Sequence, residues 1–460
     1  MNALSFPLVQ GQDSRTRADR QAAGKALRSK VPRSSHRSWS PAPDRPDPVG
    51  LLEESNQTRL PNLVPIRYRR MLLSPFAFLR GSAVIMAQDL AATPVTGIPA
   101  QVCGDAHLSN FGIYTTPERR QVFDVNDFDE TLPGPWEWDV KRLAASIIVA
   151  GRGNGFSENS NREAVLRGMR SYRERMWAFA EMRQLHVWYS YLEVERTLSR
   201  FRPINRQYFD EAVEKARRQT SVRVFPQLTQ HIHGQYRIKD DPPLIMHLKD
   251  DELAGRLWGL VEGYGALLPD DRRVLLSRYH PVDLAEKVVG VGSVGTRCYV
   301  ALLLGMGNDS NDPLFLQIKE AQTSVLEPHL CPSIYPNHAQ RVVNGQRLMQ
   351  AASDMFLGWT SSGGYDFYVR QLRDRSLSPS ITNMREGDFI VYAELCGWTL
   401  AHAHARSGDA AQISGYLGRS DAFETAIASF AEAYADQVER DHAALVAAAK
   451  SGRVPVEKRV

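Results

Sequence analysis

The chain has 460 residues, 43% of them hydrophobic and 23% charged, with 32 Gly and 26 Pro. These values fit two or three packed domains and exclude collagen-like, coiled-coil and wholly disordered chains. The longest apolar runs, 143–151 and 299–305, fall far short of the roughly 20 residues of a membrane helix.

The formal net charge is +4, but residues 1–50 hold nine Lys and Arg against four Asp and Glu, so the rest of the chain carries −1. Those 50 residues hold six Pro and seven Ser with no apolar period, and residues 1–57 read as a disordered basic tail. A neutral body does not predict a nucleic-acid partner, because such proteins keep their basic patch on the folded domain. The tail lacks the apolar stretch of about 7–15 residues that a secretory signal needs. Four Cys without a C-x-x-C pair predict neither a disulfide scaffold nor a zinc knuckle, and suit a reducing cytoplasm.

Ser74-Pro75 opens a helical pattern through Phe76, Leu79, Ala83, Met86 and Leu90, ended by Thr96-Gly97. Residues 98–103 read as a short buried strand, followed by two motif-bearing loops at 103–112 and 122–135. Helical periodicity runs from about 139 to 265, interrupted at Pro203 and at 240–243. From Pro281 the texture turns β-rich: 288–289, 297–304 and 314–318 read as strands, with a turn at 308–313. A helix is expected over 340–356, strands at 356–360 and 366–372, and helices again from 386, the last Ala-rich over 423–449. The expected class is α+β, with segments 1–57, 58–280 (helical), 281–385 (sheet) and 386–460 (helices returning to the first lobe).

Three motifs carry chemistry. Cys103-Gly104-Asp105-Ala106-His107-Leu108-Ser109-Asn110 places an Asn five residues after an Asp in a loop behind a strand. In kinase catalytic loops such an Asp accepts the proton of the attacking hydroxyl and the Asn binds metal; an Asx-capped turn has the same composition. Val122-Phe123-Asp124-Val125-Asn126-Asp127-Phe128-Asp129-Glu130 then packs four carboxylates into seven residues, a repulsion that a divalent cation relieves. Gly134-Pro135 leads to Trp138-Asp139-Val140-Lys141-Arg142, with Asp139 expected as the N-cap of a helix.

Gly290-Val291-Gly292-Ser293-Val294-Gly295 is a G-x-G-x-x-G, a weak signal by itself. A dinucleotide fold needs a helix directly after it, whereas here a β-rich stretch, a turn and a strand ending in Lys319 follow. Strand, glycine loop, strand, turn, strand, Lys is the order of a kinase phosphate-covering hairpin. Arg297 stands where kinases carry a Val that packs on the base. Lys319 lacks an evident carboxylate partner: Glu327 is one candidate, and the 340–356 helix offers Gln346 but no Glu. The His pairs His231/His233 and His402/His404 read as structural, since i and i+2 leave a helix on different sides. Trp138, Trp359 and Trp398 read as core.

Residues 74–81, 103–112 and 122–139, Lys319-Glu320-Ala321, and the runs at 341–347, 368–372 and 403–409 resemble, in order over about 58–450, a bacterial family known only as a domain of unknown function (DUF2252). That resemblance brings no chemistry. A more distant one does: Gly134-Pro135 followed by Trp138-Asp139, after the acidic loop, resembles the G-x-P…D-L-A element of aminoglycoside- and choline-kinase-like phosphotransferases, in which the Asp caps a helix and braces the catalytic loop. There the glycine loop precedes the catalytic Asp; here it follows about 180 residues later. The expectation is therefore a circularly permuted, two-lobed, protein-kinase-like fold, helical lobe first.

This predicts an ATP- and Mg²⁺-dependent phosphotransferase acting on a hydroxyl acceptor the sequence does not name. Asp105 and His107 are its candidate catalytic residues; Gly290, Gly292, Ser293, Gly295 and Lys319 bind the nucleotide. Asn110, Asp124 and Asp127 hold the metal, with Asp129 as an outer or second-metal candidate, and Arg80 either pairs with this cluster or is a buried structural Arg. Alternatives are a nucleotide-free metal hydrolase on Asp105, His107, Asp124 and Asp127, a non-catalytic nucleotide sensor, or AMP transfer.

Overall fold

The two ends of the chain build one helical body. The computed structural model describes residues 14–195, 207–218, 220–248, 251–372 and 379–457. Helix Arg17–Ala26 starts on a capping box, in which Thr16 accepts from the Asp19 amide and the Asp19 carboxylate accepts from the Thr16 amide. It packs on helix Ala410–Leu417 so closely that a Cβ at Gly415 would collide with the Gln21 carbonyl.

The reading of the first 57 residues as a disordered tail is therefore corrected for 14–57; residues 1–13 lie outside the described residues. The basic groups that suggested a solvated tail are docked. Arg28 donates to the Tyr416 carbonyl at 2.8 Å and Arg33 to that of Leu417 at 2.6 Å. These are last-turn carbonyls without helical partners, at the negative end of the helix dipole. Arg45 bridges Asp89 at 2.7 Å and Asp441 at 2.6 Å.

The first expected helix is two, Pro75–Gly81 and Ala83–Leu90, with Ser74 as N-cap accepting from the Ala77 amide. Strand β1 (Pro99–Val102) follows the expected position. β2 (Phe111–Thr115) and β3 (Gln121–Val125) form an antiparallel hairpin, and β4 (Leu132–Pro135) returns to pair with β1. Helices Trp136–Gly153 and Glu158–Glu181 then pack with Glu386–Ser407 and Ala422–Lys450 around Leu143, Ile147, Tyr172, Leu400, Ile427 and Phe430, each essentially fully buried.

The expected helical stretch to 265 contains strands. β5 (Thr229–Ile232) and β6 (Gln235–Ile238) form a hairpin whose central residues, His233 and Gly234, both have positive φ (51° and 82°), as a tight primed turn requires. β7 (Ile245–His247) joins the main sheet; the interruption expected at Pro203 lies outside the described residues.

That sheet is six-stranded and antiparallel, in the order β11-β12-β10-β9-β8-β7. β8 (His280–Lys287) ends before the strand expected at 288–289. β9 (Cys298–Gly305) pairs with β8 and with β10 (Asp309–Ala321), across a register shift at Asp309/Pro313 that absorbs part of the expected turn. Helix His338–Met349 crosses over to β11 (Gly358–Ser362) and β12 (Tyr365–Gln371), and β12 pairs on β10. Helix Asp251–Leu267 covers one sheet face with Leu257, Leu260, Val261 and Tyr264, so this unit reaches back past the expected boundary at 281. The molecule is thus mixed α+β. Among the described residues no helix is long and apolar enough to cross a membrane.

Candidate functional site

The loop after β1 is held from below. Asp139 accepts the amides of Cys103 at 2.8 Å and Gly104 at 2.9 Å. It sits in the first turn of helix Trp136–Gly153, whose N-cap is Pro135, so its role is to brace the loop rather than to cap the helix as expected. His404 Nε2 meets the same carboxylate at 3.2 Å, and the Tyr172 hydroxyl meets His404 Nδ1 at 2.9 Å. One turn on, Arg142 clamps Asp105 and donates to the Leu79 carbonyl at 2.8 Å. The Asn110 side chain donates to the Asp105 carbonyl at 2.7 Å, and Tyr392 donates to the Leu108 carbonyl at 2.9 Å.

Asp105 keeps 18% of its side chain exposed. Burial pushes its pKa up to about 6 against the pull of Arg142. His107 Nε2 lies 3.6 Å from Asp105 Oδ2. Burial, and then the charge of Arg80, drive its imidazole well below the usual range, so it is neutral.

The acidic run divides. Asp124 lies in β3 opposite Gly112, only 2% exposed, with Oδ1 accepting from the Val125 amide at 2.9 Å and Oδ2 from the Ala351 amide at 3.0 Å. Its expected place as a metal ligand is corrected. The strand ends after Val125, so Asp124 is oriented by the strand and ties down residue 351, while Asp127 lines the cleft, its Oδ1 accepting from the Asp129 amide at 3.2 Å. Burial and then the Asp129 charge raise the Asp127 pKa. Asp129 is held below its ordinary value, because Lys319 and the hydrogen bonds of Lys319 and Tyr368 outweigh burial. Glu130 accepts from the Val325 amide at 2.8 Å and is pushed by burial up to about 7. Among the described residues no three His, Cys, Asp or Glu side chains gather as a metal site.

Lys319 stands on β10 between Cys298 of β9 and Tyr368 of β12. Its ammonium pairs with Asp129 and lies 4.0 Å from Asp127 Oδ2. Burial would lower its pKa, but these two carboxylates hold it well above the ordinary value. Its partner is therefore neither of the expected candidates; Glu327 lies 3.9 Å from Arg341 instead. Tyr368 donates to Asp129 Oδ1 at 2.8 Å, and Ser293 of the glycine loop to Oδ2 at 3.3 Å.

Gly290 and Gly295 take φ of 65° and 92°, a region in which side chains are strained. The loop's carbonyls are held by the chain ahead of the helical body: Arg70 donates to Gly290, Arg59 to Val294 at 2.6 Å, and the Leu60 amide to Gly295 at 2.8 Å. Arg297 turns away to Glu320 at 3.1 Å and stacks 3.6 Å over the Tyr365 ring.

Asp105, His107, Asn110, Asp127, Gly290, Gly292 and Ser293 thus line one cleft of about 340 Å³. Gly295 faces Arg59 instead. A second cleft, of about 550 Å³, shares Gly290 and is lined by Asn126, Lys287, Gln317, Gln346 and Arg370.

Residues 59–448 match DUF2252, a family described as an uncharacterized protein conserved in bacteria. The chain belongs to that family. No curated protein and no solved structure matches it. The DUF2252 span holds every lining residue of the cleft named so far, while the docked helices of 17–55 precede it.

Four residues that support the cleft's loops carry geometry that the motifs did not suggest: Arg142, Tyr368, Arg59 and Arg70. The first had a signal, since the Asp139–Arg142 spacing of three puts both on one helix face. The other three are brought in by strand pairing and by the N-terminal approach. The His402/His404 pair is buried and serves structure: His402 meets the Val187 carbonyl at 3.0 Å, and His404 supports Asp139. His231 and His233 are exposed on the β5–β6 hairpin.

Proposed function

We propose that the cleft binds a nucleoside triphosphate, ATP in the first instance, with Mg²⁺, and that the protein transfers its terminal phosphoryl group to a hydroxyl acceptor. One convergence carries this reading: Lys319, buried behind the lining, and the Ser293 loop meet Asp127 and Asp129, which line one cleft with Asp105 and Asn110. Phosphoryl transfer needs positioning and charge neutralisation more than covalent chemistry. A glycine loop, a Lys on the next strand, two carboxylates and a base are the parts that supply it. The strand arrangement supports a kinase-like sheet lobe: the glycine loop joins β8 to β9, Lys319 is on the following strand, and a helix comes next. Its position after the catalytic loop makes this a circular permutation, which a fold with surface termini tolerates.

Asp127 and Asn110 would hold Mg²⁺, which neutralises phosphate charge; two protein donors suit an ion that keeps phosphate and water ligands. Burial of Asp127 next to Asp129 is the electrostatic demand such an ion meets. Asp105, with its pKa near 6, is ionised at neutral pH and takes the acceptor proton. The 550 Å³ cleft beyond Gly290 has room for base and sugar.

One observation favours adenylyl transfer or binding without turnover as a second reading. Kinases pair the strand Lys with a Glu of the following helix, whereas helix His338–Met349 presents Arg341 and Gln346, and Lys319 pairs with Asp129. For the nucleotide-free hydrolase, Asp124 stands outside the cleft, leaving three of its four groups.

Thermal unfolding with and without Mg²⁺-ATP tests the main reading on wild type, Lys319→Ala and Asp127→Asn. Ligand at 100 times its Kd stabilises by about 2.7 kcal/mol. We expect the shift in wild type and its loss in both variants. A shift with metal alone and none with ATP would overturn the reading, and ADP against AMP as product separates the two transfers.

A further inference from the structure

The cations around the cleft are nearly all committed to the protein itself. Lys319 is paired with Asp129, and Arg142 with Asp105. Arg59 donates to the Val294 carbonyl and Arg67 to that of Gly81, while Arg341 donates to the carbonyls of Thr131 and Asp129. Arg80 is the exception: it lines the cleft, and its Nε is buried without a hydrogen-bond partner among the described residues. Unlike Arg59, Arg67 and Arg341, whose terminal nitrogens reach protein carbonyls, its guanidinium makes no hydrogen bond or ion pair among the described residues.

Its position is fixed from two sides. The Arg80 carbonyl lies 3.1 Å from where a Gly292 side chain would begin, directly against the glycine loop. The preceding carbonyl, of Leu79, accepts from the same guanidinium that clamps Asp105. Phe76 of that helix meets the His107 ring edge-on at 6.4 Å. The Arg80 backbone is thus set between the glycine loop and the loop of Asp105, and its side chain lines the cleft that both share. A structural arginine spends its terminal donors on carbonyls, as Arg67 and Arg341 do, and Arg80 makes no such bond among the described residues. We propose that Arg80 is an anion-binding residue that contacts the terminal phosphoryl group of the bound nucleoside triphosphate, an assignment that rests on the nucleotide reading above.

A guanidinium matches phosphate oxygens in a planar fork, and this contact is available to a triphosphate but not to a diphosphate. Calorimetric titration of the full chain with Mg²⁺-ATP and Mg²⁺-ADP reads it directly, on wild type, Arg80→Gln and Arg80→Lys. Wild type is expected to bind ATP about tenfold more tightly than ADP. Arg80→Gln should bring the two affinities together with ADP binding unchanged, which also reports that the variant is folded, and Arg80→Lys should keep part of the ATP advantage. If Arg80→Gln weakens both nucleotides equally or leaves the advantage intact, or if wild type shows no advantage, the assignment of Arg80 falls while the nucleotide reading stands. If wild type binds neither nucleotide, the nucleotide reading itself falls and takes the Arg80 contact with it.

Discussion

Lys319 and Asp129, 190 residues apart in the chain, form an ion pair at the meeting of the sheet and the acidic loop, and Tyr368 donates to the other oxygen of the same carboxylate at 2.8 Å. The Lys side chain is 2% exposed and that of Asp129 25%. On the nucleotide reading proposed above, an entering phosphate would meet a cation already neutralised, and Asp127, 4.0 Å from the ammonium, would be the carboxylate that faces the metal.

Removing Lys319 leaves Asp127 and Asp129 facing each other without their counter-charge. Lys319→Met should cost about 3–5 kcal/mol, read as a lower urea midpoint at unchanged slope. The double variant Lys319→Met/Asp129→Asn should recover part of that loss. Strict additivity of the two single changes would show that the pair contributes no coupling.

Asp124 and Asp127 should separate cleanly in a parallel experiment. Asp127→Asn is expected to abolish the Mg²⁺-ATP response with little loss of stability. Asp124→Asn weakens the anchor on the Ala351 amide, so it should lower the unfolding midpoint, by about 1–3 kcal/mol, and keep the response. The reverse pattern would return Asp124 to the metal site.

The raised pKa of Asp105 sets a pH dependence whose sign is fixed. A carboxyl whose folded pKa lies above its unfolded value near 3.9 contributes stability at low pH, lost as pH rises through the folded value. Wild type should therefore lose stability relative to Asp105→Asn between about pH 4 and the folded pKa of about 6, and hold level above. If Asp105 is the base, kcat/KM for nucleotide turnover should fall below about pH 6. Parallel stability curves for the two proteins would place its pKa at the ordinary value.

Docking of residues 14–57 is open to a separate test. Gly415→Val puts a side chain against the Gln21 carbonyl, and overpacking of this kind costs about 1–3 kcal/mol. Limited proteolysis should then cut within 14–57 while the circular dichroism of the remaining helices persists. Resistance equal to wild type would mean that the contact does not hold this segment.

The cleft was legible in the sequence where its residues are local. Asp105 and Asn110 share one loop, Asp127 and Asp129 another, and the glycine loop and Lys319 follow in one hairpin and strand, so spacing alone named them. Asp124 was assigned wrongly for a local reason as well: composition counts carboxylates, but the end of β3 decides which of them turns to the cleft. The N-terminal segment misled for the opposite reason. Its stability comes from arginines on distant helix carbonyls and from Gly24 and Gly415 at a close helix crossing, and neither leaves an apolar period.

By itself the sequence determined the family, the mixed α+β class, the helix start at Ser74 and the identity of the chemical groups, because caps, turns and periodicity act over a few residues. Only the tertiary structure decided that Lys319 pairs with Asp129, that Arg142 clamps Asp105, that Arg59 and Arg70 hold the glycine loop, and that Arg80 has no hydrogen-bond partner among the described residues. Those outcomes depend on which strand lies beside which and on what each guanidinium reaches first. A chain cannot express that locally, since the partners are brought together by burial of the surfaces between them.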